Sequence, residues 1–478
     1  MPADATPSFT LSRKAGMDSA SAVTAGIRGR LLAPIVLGVW AAAIALAPSL
    51  PAKALLAAPA ALLPFVWWML ATPARWLTVF LAVALLTPPL PIAIGDSGPH
   101  LCLAFAAVGL FAGLLWLPAW RFVPSGLASA FVALLGALLI SVAPAAFHSG
   151  AQAAAGSLAR VALFGLSVYV FFYTAYGPGR HSPVSLRCLF WIAAAAALFA
   201  CVDFYFQFPA PAGYGPQFVW LDSGVYRRAQ GLFYEASTLG NFCAFFLVMI
   251  AVAFSRPRAE SPVSRKALLA GGAVFFAALV LSYSRASLLC VLVALAVLAW
   301  RNRRCVPLGR VSIGISLAAL LVWRVFPAFA EMYWLRLSNS AEYFFTATEG
   351  VLSGRVASWH TLAAWLAGNP WQALFGIGYK TLPYSSYLGG PVVADNMYLS
   401  LLVETGILGL AALVWLNIAI LRAAARASRS LDARASFCGV WMLCFWCGQM
   451  VQMLSGDLLT YWRVLPVYFC VLAVAVRV

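Results

Sequence analysis

Apolar residues fall into runs long enough to span a bilayer, beginning near Leu31, Ala54, Trp76, Leu101, Leu127, Leu158, Leu189, Thr238, Lys266, Ala286, Val311, Asn396, Phe437 and Tyr461. A membrane helix needs roughly 17–25 residues and a few runs are marginal, so the pattern predicts about 12–14 transmembrane helices. The run from Trp76 meets Pro88, Pro89 and Pro91. Proline lacks an N–H and clashes with the preceding turn, so a helix must end or kink there. Short Pro- and Gly-bearing connectors separate the runs, as helix hairpins require. No internal repeat, heptad array or soluble domain is evident. One long interval, 330–394, lacks a membrane-length apolar run and delivers Asp395-Asn396 to the mouth of the next apolar helix. The expected fold is an all-α polytopic membrane protein with one large outer loop between late helices. Its parts are a cytoplasmic tail (1–29), a transmembrane bundle (30–329), the loop (330–394) and C-terminal transmembrane helices (395–478).

Composition agrees. Of 478 residues 63% are hydrophobic and only 9% charged, whereas a soluble protein carries about 25% charged residues. That much apolar surface has no single globular core to enter, so the solvent must be lipid. The ten cysteines lie in or beside apolar runs and are expected to be buried free thiols, including Cys444 and Cys447 with their CxxC spacing. No secretory signal is evident, and the first apolar run looks like a retained helix.

The net charge of +17 is explained by its distribution. With the N-terminus in the cytoplasm and alternation thereafter, the inner segments hold 21 of the 31 basic residues and only 4 of the 14 acids. This is the bias that orients membrane proteins and meets anionic inner-leaflet lipid. It predicts both termini inside and requires no nucleic-acid partner. The outer half holds ten basic and ten acidic residues, and its basic residues are informative because the rule disfavours them there. Arg160, Arg324 and Arg463 sit near helix ends, where snorkelling is the bland explanation and a functional role stays open beside it.

The other outer arginines lie in polar clusters. Tyr226-Arg227-Arg228-Ala229-Gln230-Gly231-Leu232-Phe233-Tyr234-Glu235 precedes the run at Thr238. It is either an interfacial loop with an Arg–Glu pair or an anion clamp. The guanidinium fork suits phosphate oxygens, Gly231 permits close backbone approach, and Ser237 and Thr238 are candidate caps. Ser282-Tyr283-Ser284-Arg285-Ala286-Ser287 forms a hairpin so short that Arg285 must lie near two helix ends, where a charge is costly unless paired. In Gly354-Arg355-Val356-Ala357-Ser358-Trp359-His360, helical spacing puts Arg355 and Trp359 on one face and His360 roughly 140° away. In the last cluster Asn396, Ser400 and Glu404 form a polar stripe facing a bundle interior or cavity, and Gly406 and Gly409 permit close helix approach.

In these clusters the chain resembles the bacterial O-antigen ligase and polysaccharide polymerase superfamily. The resemblance rests on Arg228 with Gln230-Gly231-Leu232-Phe233, Ser284-Arg285, Gly354-Arg355 with Trp359, Phe375-Gly376-Ile377-Gly378, and Asn396 with Gly406 and Gly409. It covers about Arg227 to Leu410 with motif support, and the rest by helix pattern. It implies an inner-membrane enzyme that transfers glycan from an undecaprenyl-pyrophosphate donor to an acceptor sugar or lipid A core, without metal or nucleotide cofactor. Other polysaccharide-assembly proteins are possible partners. Many members carry His before the motif Asn. Asp395 stands there instead, which points away from a histidine-centred mechanism and toward a capsule or exopolysaccharide polymerase.

The chemistry follows from the residue types. A diphosphate leaving group needs positive charge where negative charge develops, and Arg228, Arg285 and Arg355 are placed to supply it, supported by Arg227, Gln230, Ser284, Asn396 and Trp359. For the acceptor proton Asp395 ranks first, His360 second, and Glu404 third with a structural role more in keeping. No clustered metal-ligand pattern or phosphate-binding glycine loop occurs, so zinc and ATP are not expected. A flippase would instead carry mid-bilayer charges and paired broken helices, and a non-catalytic assembly component would tolerate loss of Arg285 or Asp395.

Overall fold

The structure is a computed structural model that describes residues 37–90, 99–180, 183–210, 217–221, 224–302, 320–332, 334–335, 338, 355–383, 392 and 394–477. The run expected at Val311 is described only from residue 320 on, and Gly354 lies outside the described residues. The chain divides into two compact units, 1–71 and 72–478. The described part of the first holds α1 (Leu37–Leu46) and α2 (Leu50–Leu70), joined by a Trp40 Nε1 hydrogen bond to the Leu56 carbonyl at 2.8 Å.

The described part of the second unit is largely helical, and most of its helices begin close to the expected runs, although one starts at Val142, well before the run expected near Leu158. They are α3 (Pro73–Leu86), α4 (Cys102–Leu115), α5 (Gly126–Ile140), α6 (Val142–Ala175), α7 (Leu186–Phe206), α8 (Ala236–Phe254), α9 (Arg265–Leu281), α10 (Arg285–Arg301), α11 (Arg355–Gly368), α12 (Pro370–Phe375), α13 (Met397–Ala427), α14 (Ala433–Gln452) and α15 (Leu465–Val476). Among the described residues, five helices are long and apolar enough to cross a membrane: α2 over Ala52–Leu70, α6, α7, α8 and α13. α3, α4, α5 and α15 are shorter apolar helices. The architecture is that of an all-α polytopic membrane protein.

Local chemistry sets the boundaries. α3 stops where Thr87 turns extended (φ −103°, ψ 145°) ahead of Pro88, because proline excludes the helical conformation from the residue before it. Ser125, Ser185, Ser264, Ser284, Asn396 and Asp432 cap the helices that follow them through their side chains. Two features were not read from the pattern. α6 and α13 are broken at Gly150 (φ 86°) and Gly406 (φ 69°), and a two-stranded hairpin, β1 (Phe218–Leu221) with β2 (Gly224–Arg227), follows α7.

α8, α14 and α15 form the centre. Phe245 stacks among Trp441, Phe445 and Tyr468 at 4.3–4.8 Å between ring centroids. Trp441 Nε1 donates to the Phe245 carbonyl at 2.7 Å, which satisfies a polar atom that lipid-depth burial would otherwise penalise.

The connectors gather at two ends. At one, Arg256 reaches Ser436, Arg301 reaches Ser428, Arg434 reaches the Val184 carbonyl and Arg477 reaches the Gly179 carbonyl. At the other, Arg228 reaches the Ser282 carbonyl, Arg160 the Lys380 carbonyl, Lys380 pairs with Asp457, and Arg463 meets the carbonyls of Ala84, Thr87 and Leu232. The second end holds the candidate site.

Candidate functional site

The segment after β2 is pinned to the α9–α10 turn. Arg228 Nε donates to the Ser282 carbonyl at 2.8 Å, and the Ala229 N–H to the Leu281 carbonyl at 3.0 Å. This seats Arg228 on the turn that leads into Arg285, so two of the sequence clusters are brought side by side. Tyr283 in that turn has a left-handed φ of 50°, and Ser284 begins α10 by accepting from the Ser287 N–H. Gly231 (φ 55°) lies against α7, and a Cβ there would stand 2.7 Å from the Ala200 Cβ, the close approach its small size was expected to allow. Gln230 is fully buried beside them, and neither of its side-chain polar atoms has a hydrogen-bond partner.

Arg227 is held differently. Its Nη2 lies 2.6 Å from Asp203 Oδ1 of α7, both side chains are buried, and Gln207 brackets its backbone N–H and carbonyl. The carboxylate partner is therefore Asp203 and not the neighbouring Glu235. Arg463 is also not a snorkelling residue. Only 4% exposed, it holds the carbonyls that end α3 and lies over the Phe233 ring.

From the long loop, α11 lies on the first turns of α13. Arg355 Nε is 3.0 Å from Asp395 Oδ2, and Trp359 Nε1 donates to the Ala394 carbonyl at 2.6 Å. The expected shared face of Arg355 and Trp359 is thus the face that meets Ala394-Asp395, while His360 points away and is exposed. Asp395 adopts φ 44°, and Asn396 caps α13, its Oδ1 accepting from the N–H groups of Tyr398 and Leu399 at 3.1 and 3.2 Å. Trp359, Asn396, Tyr398, Leu399 and Leu402 line an open groove of about 320 Å³ between α11 and α13.

The Gly-Ile-Gly turn and the α13 break are one device. The Ile377 and Gly378 N–H groups donate to the carbonyls of Val403 and Glu404 at 3.1 and 2.8 Å. Those carbonyls would bond the next helical turn were the helix not opened at Gly406. A Cβ on Gly406 would sit 2.0 Å from the Leu374 carbonyl oxygen, and one on Gly376 would sit 2.3 Å from that of Glu404. Gly406 was read as a helix-approach glycine; the chain it admits is this loop. Ser400 and Glu404 are buried as the stripe required, and Glu404 Oε1 accepts from the Leu382 N–H at 3.4 Å.

Next to these residues lies a charged group that the sequence clusters did not bring together. Glu235 ends the 227–235 segment, and its Oε2 accepts from Ser237 Oγ at 2.7 Å. Burial, followed by the nearby carboxylates of Asp395 and Asp457, pushes its carboxyl above the usual range despite the Ser237 bond and the Lys380 charge. Lys380 itself (φ 60°) bonds Asp457 and stays protonated, because Asp457 and Glu404 outweigh the cost of its burial. The hint in the sequence was the run of acids among the outer connectors, but their convergence spans more than 200 residues of chain.

Residues 268–414 match the family model described as O-antigen ligase, a span that holds Arg285, Arg355, the Gly-Ile-Gly turn, Asp395 and the α13 break. No curated protein matches the chain.

Proposed function

From the premise that the chain is an O-antigen ligase-related membrane protein, we propose that it transfers or polymerises glycan from an undecaprenyl-pyrophosphate-linked donor onto an acceptor sugar at the periplasmic face of the bacterial inner membrane. The observation that carries this reading is the seating of Arg228 on the turn of Arg285 through the Ser282 carbonyl. The Ser282 carbonyl fixes the Arg228 guanidinium through Nε, whereas Arg227 is locked to Asp203. A guanidinium held on this turn can supply positive charge where the leaving diphosphate gains negative charge.

Arg355 is the third ligand and rests on Asp395 before substrate arrives. A diphosphate offers more charge and more oxygens than one carboxylate, so it displaces Asp395 from Arg355 and leaves that carboxylate beside the acceptor. The acceptor hydroxyl oxygen then attacks the anomeric carbon. The bond from that carbon to the diphosphate oxygen breaks, the diphosphate leaves with the electron pair, and Asp395 takes the hydroxyl proton, with inversion at the carbon. His360, exposed on the opposite face of α11, ranks behind Asp395. Glu404 supports the broken helix.

The excess of basic residues at the opposite end supports a cytoplasmic location for that end and for both termini. The acceptor is a growing chain or lipid A core; Asp395 in the position before Asn396 favours the chain. The test is transfer by purified protein from a synthetic polyprenyl-diphosphate sugar. A ladder of products supports polymerisation, a single addition supports ligation, and no transfer by the wild type removes the proposal.

A further inference from the structure

The turn between α9 and α10 has a backbone state that side chains rarely adopt, and that state aims the carbonyl that holds Arg228. Ser282 ends α9 in helical geometry (φ −72°, ψ −15°), and Tyr283 after it turns left-handed at φ 50°. Glycine is the usual residue just past a helix end in this conformation, because a Cβ crowds the backbone there. A peptide group is planar, so the Ser282 carbonyl points where the ψ of Ser282 and the φ of Tyr283 together turn it. With Tyr283 left-handed, that carbonyl accepts from Arg228 Nε at 2.8 Å. The backbone around Arg228 is fixed separately: its N–H donates to the Gln217 carbonyl at 2.7 Å, and the Ala229 N–H to the Leu281 carbonyl at 3.0 Å. What the Ser282 carbonyl adds is the direction of the guanidinium.

The Tyr283 side chain is what holds the turn in this state. It is 9% exposed, in an apolar cluster with Val219 of β1, Val280 of α9 and Phe329. The Tyr283 and Phe329 rings lie 5.2 Å apart at 52°, and the Phe204 ring of α7 lies 6.4 Å from Tyr283. Rings at such separations attract beyond the area they bury. Rotating φ at Tyr283 out of the left-handed region would turn the ring relative to the Ser282 carbonyl. The ring's seat in the cluster and the aim of the carbonyl at Arg228 are thus set by one torsion.

We infer that Tyr283 is a positioning residue: packed against Phe329, its ring holds the left-handed turn that points the Ser282 carbonyl at Arg228, and so sets that guanidinium for the donor diphosphate. This rests on the assignment of Arg228 under the proposed function. Phe329 immediately precedes the long loop, so the same ring contact ties the entry of that loop to the arginine.

The test is binding of farnesyl diphosphate to the purified full-length protein, counted per folded molecule. Tyr283→Ala should weaken binding about tenfold, and Tyr283→Phe, which keeps the ring, should stay within about twofold of wild type. Phe329→Leu keeps the cluster filled but withdraws its ring from Tyr283, and should weaken binding about threefold. In the Arg228→Ala background, Tyr283→Ala should cost less than about twofold more, since it acts through the missing guanidinium. A Tyr283→Ala loss undiminished in that background would overturn the inference, as would a loss in Tyr283→Phe equal to that in Tyr283→Ala. So would wild-type binding in Tyr283→Ala, or in Phe329→Leu where Tyr283→Ala does not fold, while Arg228→Ala loses binding. Unchanged binding in Arg228→Ala would instead remove the assignment on which the inference stands.

Discussion

Arg355 and Asp395 meet at 3.0 Å across the junction of the long loop and α13, with side chains 31% and 45% exposed. In the proposed reaction the pair joins a cation suited to the donor with a carboxylate suited to the acceptor, each holding the other until substrate intervenes. An ion pair this exposed contributes below about 1 kcal/mol, so its value is not in stability. Asp395→Asn should leave the melting temperature nearly unchanged, tighten donor binding by releasing Arg355, and reduce turnover by about 10²–10⁴-fold. Steady-state kinetics beside a thermal melt separate these effects. A variant that keeps full turnover would take the proton-accepting role from Asp395.

Arg227 and Arg228 are adjacent in sequence and opposite in consequence. Removing one partner of the buried Arg227–Asp203 pair strands a charge and should cost about 3–5 kcal/mol. Arg227→Met or Asp203→Asn should therefore lower the melting temperature sharply, and the double replacement should recover much of the loss. Arg228→Ala should lower the melting temperature less than either single change at the buried pair, and should raise the donor KM.

The glycines at the α13 break make a steric prediction. Gly406→Ala places a Cβ 2.0 Å from a backbone oxygen at φ 69°, and left-handed strain alone costs about 1–3 kcal/mol. Loss of folded protein in detergent is expected for Gly406→Ala and Gly376→Ala. Gly368→Ala, with open space around it, should be neutral or slightly stabilising. Equal tolerance at all three positions would contradict the inserted-loop geometry.

Glu235 gives a pH signature. Its carboxyl is raised in the folded state, by burial first and then by Asp395 and Asp457, so the folded protein keeps a proton that the unfolded chain has lost. Stability is then greatest below the ordinary glutamate range and falls as pH rises through the raised value. Thermal melts across that window should show the decline in wild type and a flatter profile in Glu235→Gln. The same slope in both would assign it to other groups.

Helix positions were legible because lipid demands long apolar runs, but the candidate caps Ser237 and Thr238 were misplaced, since α8 begins at Ala236 with Glu235 at its N-cap position. The breaks were hidden because apolarity continues through Gly150 and Gly406, and a glycine in a membrane helix does not announce whether it serves packing or interruption. The Phe218–Arg227 hairpin was hidden because four-residue strands leave little periodicity. Within the site, Arg355 with Trp359 was readable from helical spacing alone. The seating of Arg228 on the Arg285 turn, the Asp203 partner of Arg227, and the convergence of Glu235, Lys380, Asp395 and Asp457 depend on contacts between distant segments, which local pattern does not encode.

The central claim is that Arg228 and Arg285 together hold the donor's diphosphate. The direct measurement is glycan transfer by the purified protein from a synthetic polyprenyl-diphosphate sugar, comparing wild type with the Arg228→Ala, Arg285→Ala double variant at matched folded concentration. Loss of at least about 100-fold in kcat/KM is predicted. A double variant that transfers at the wild-type rate would contradict the account.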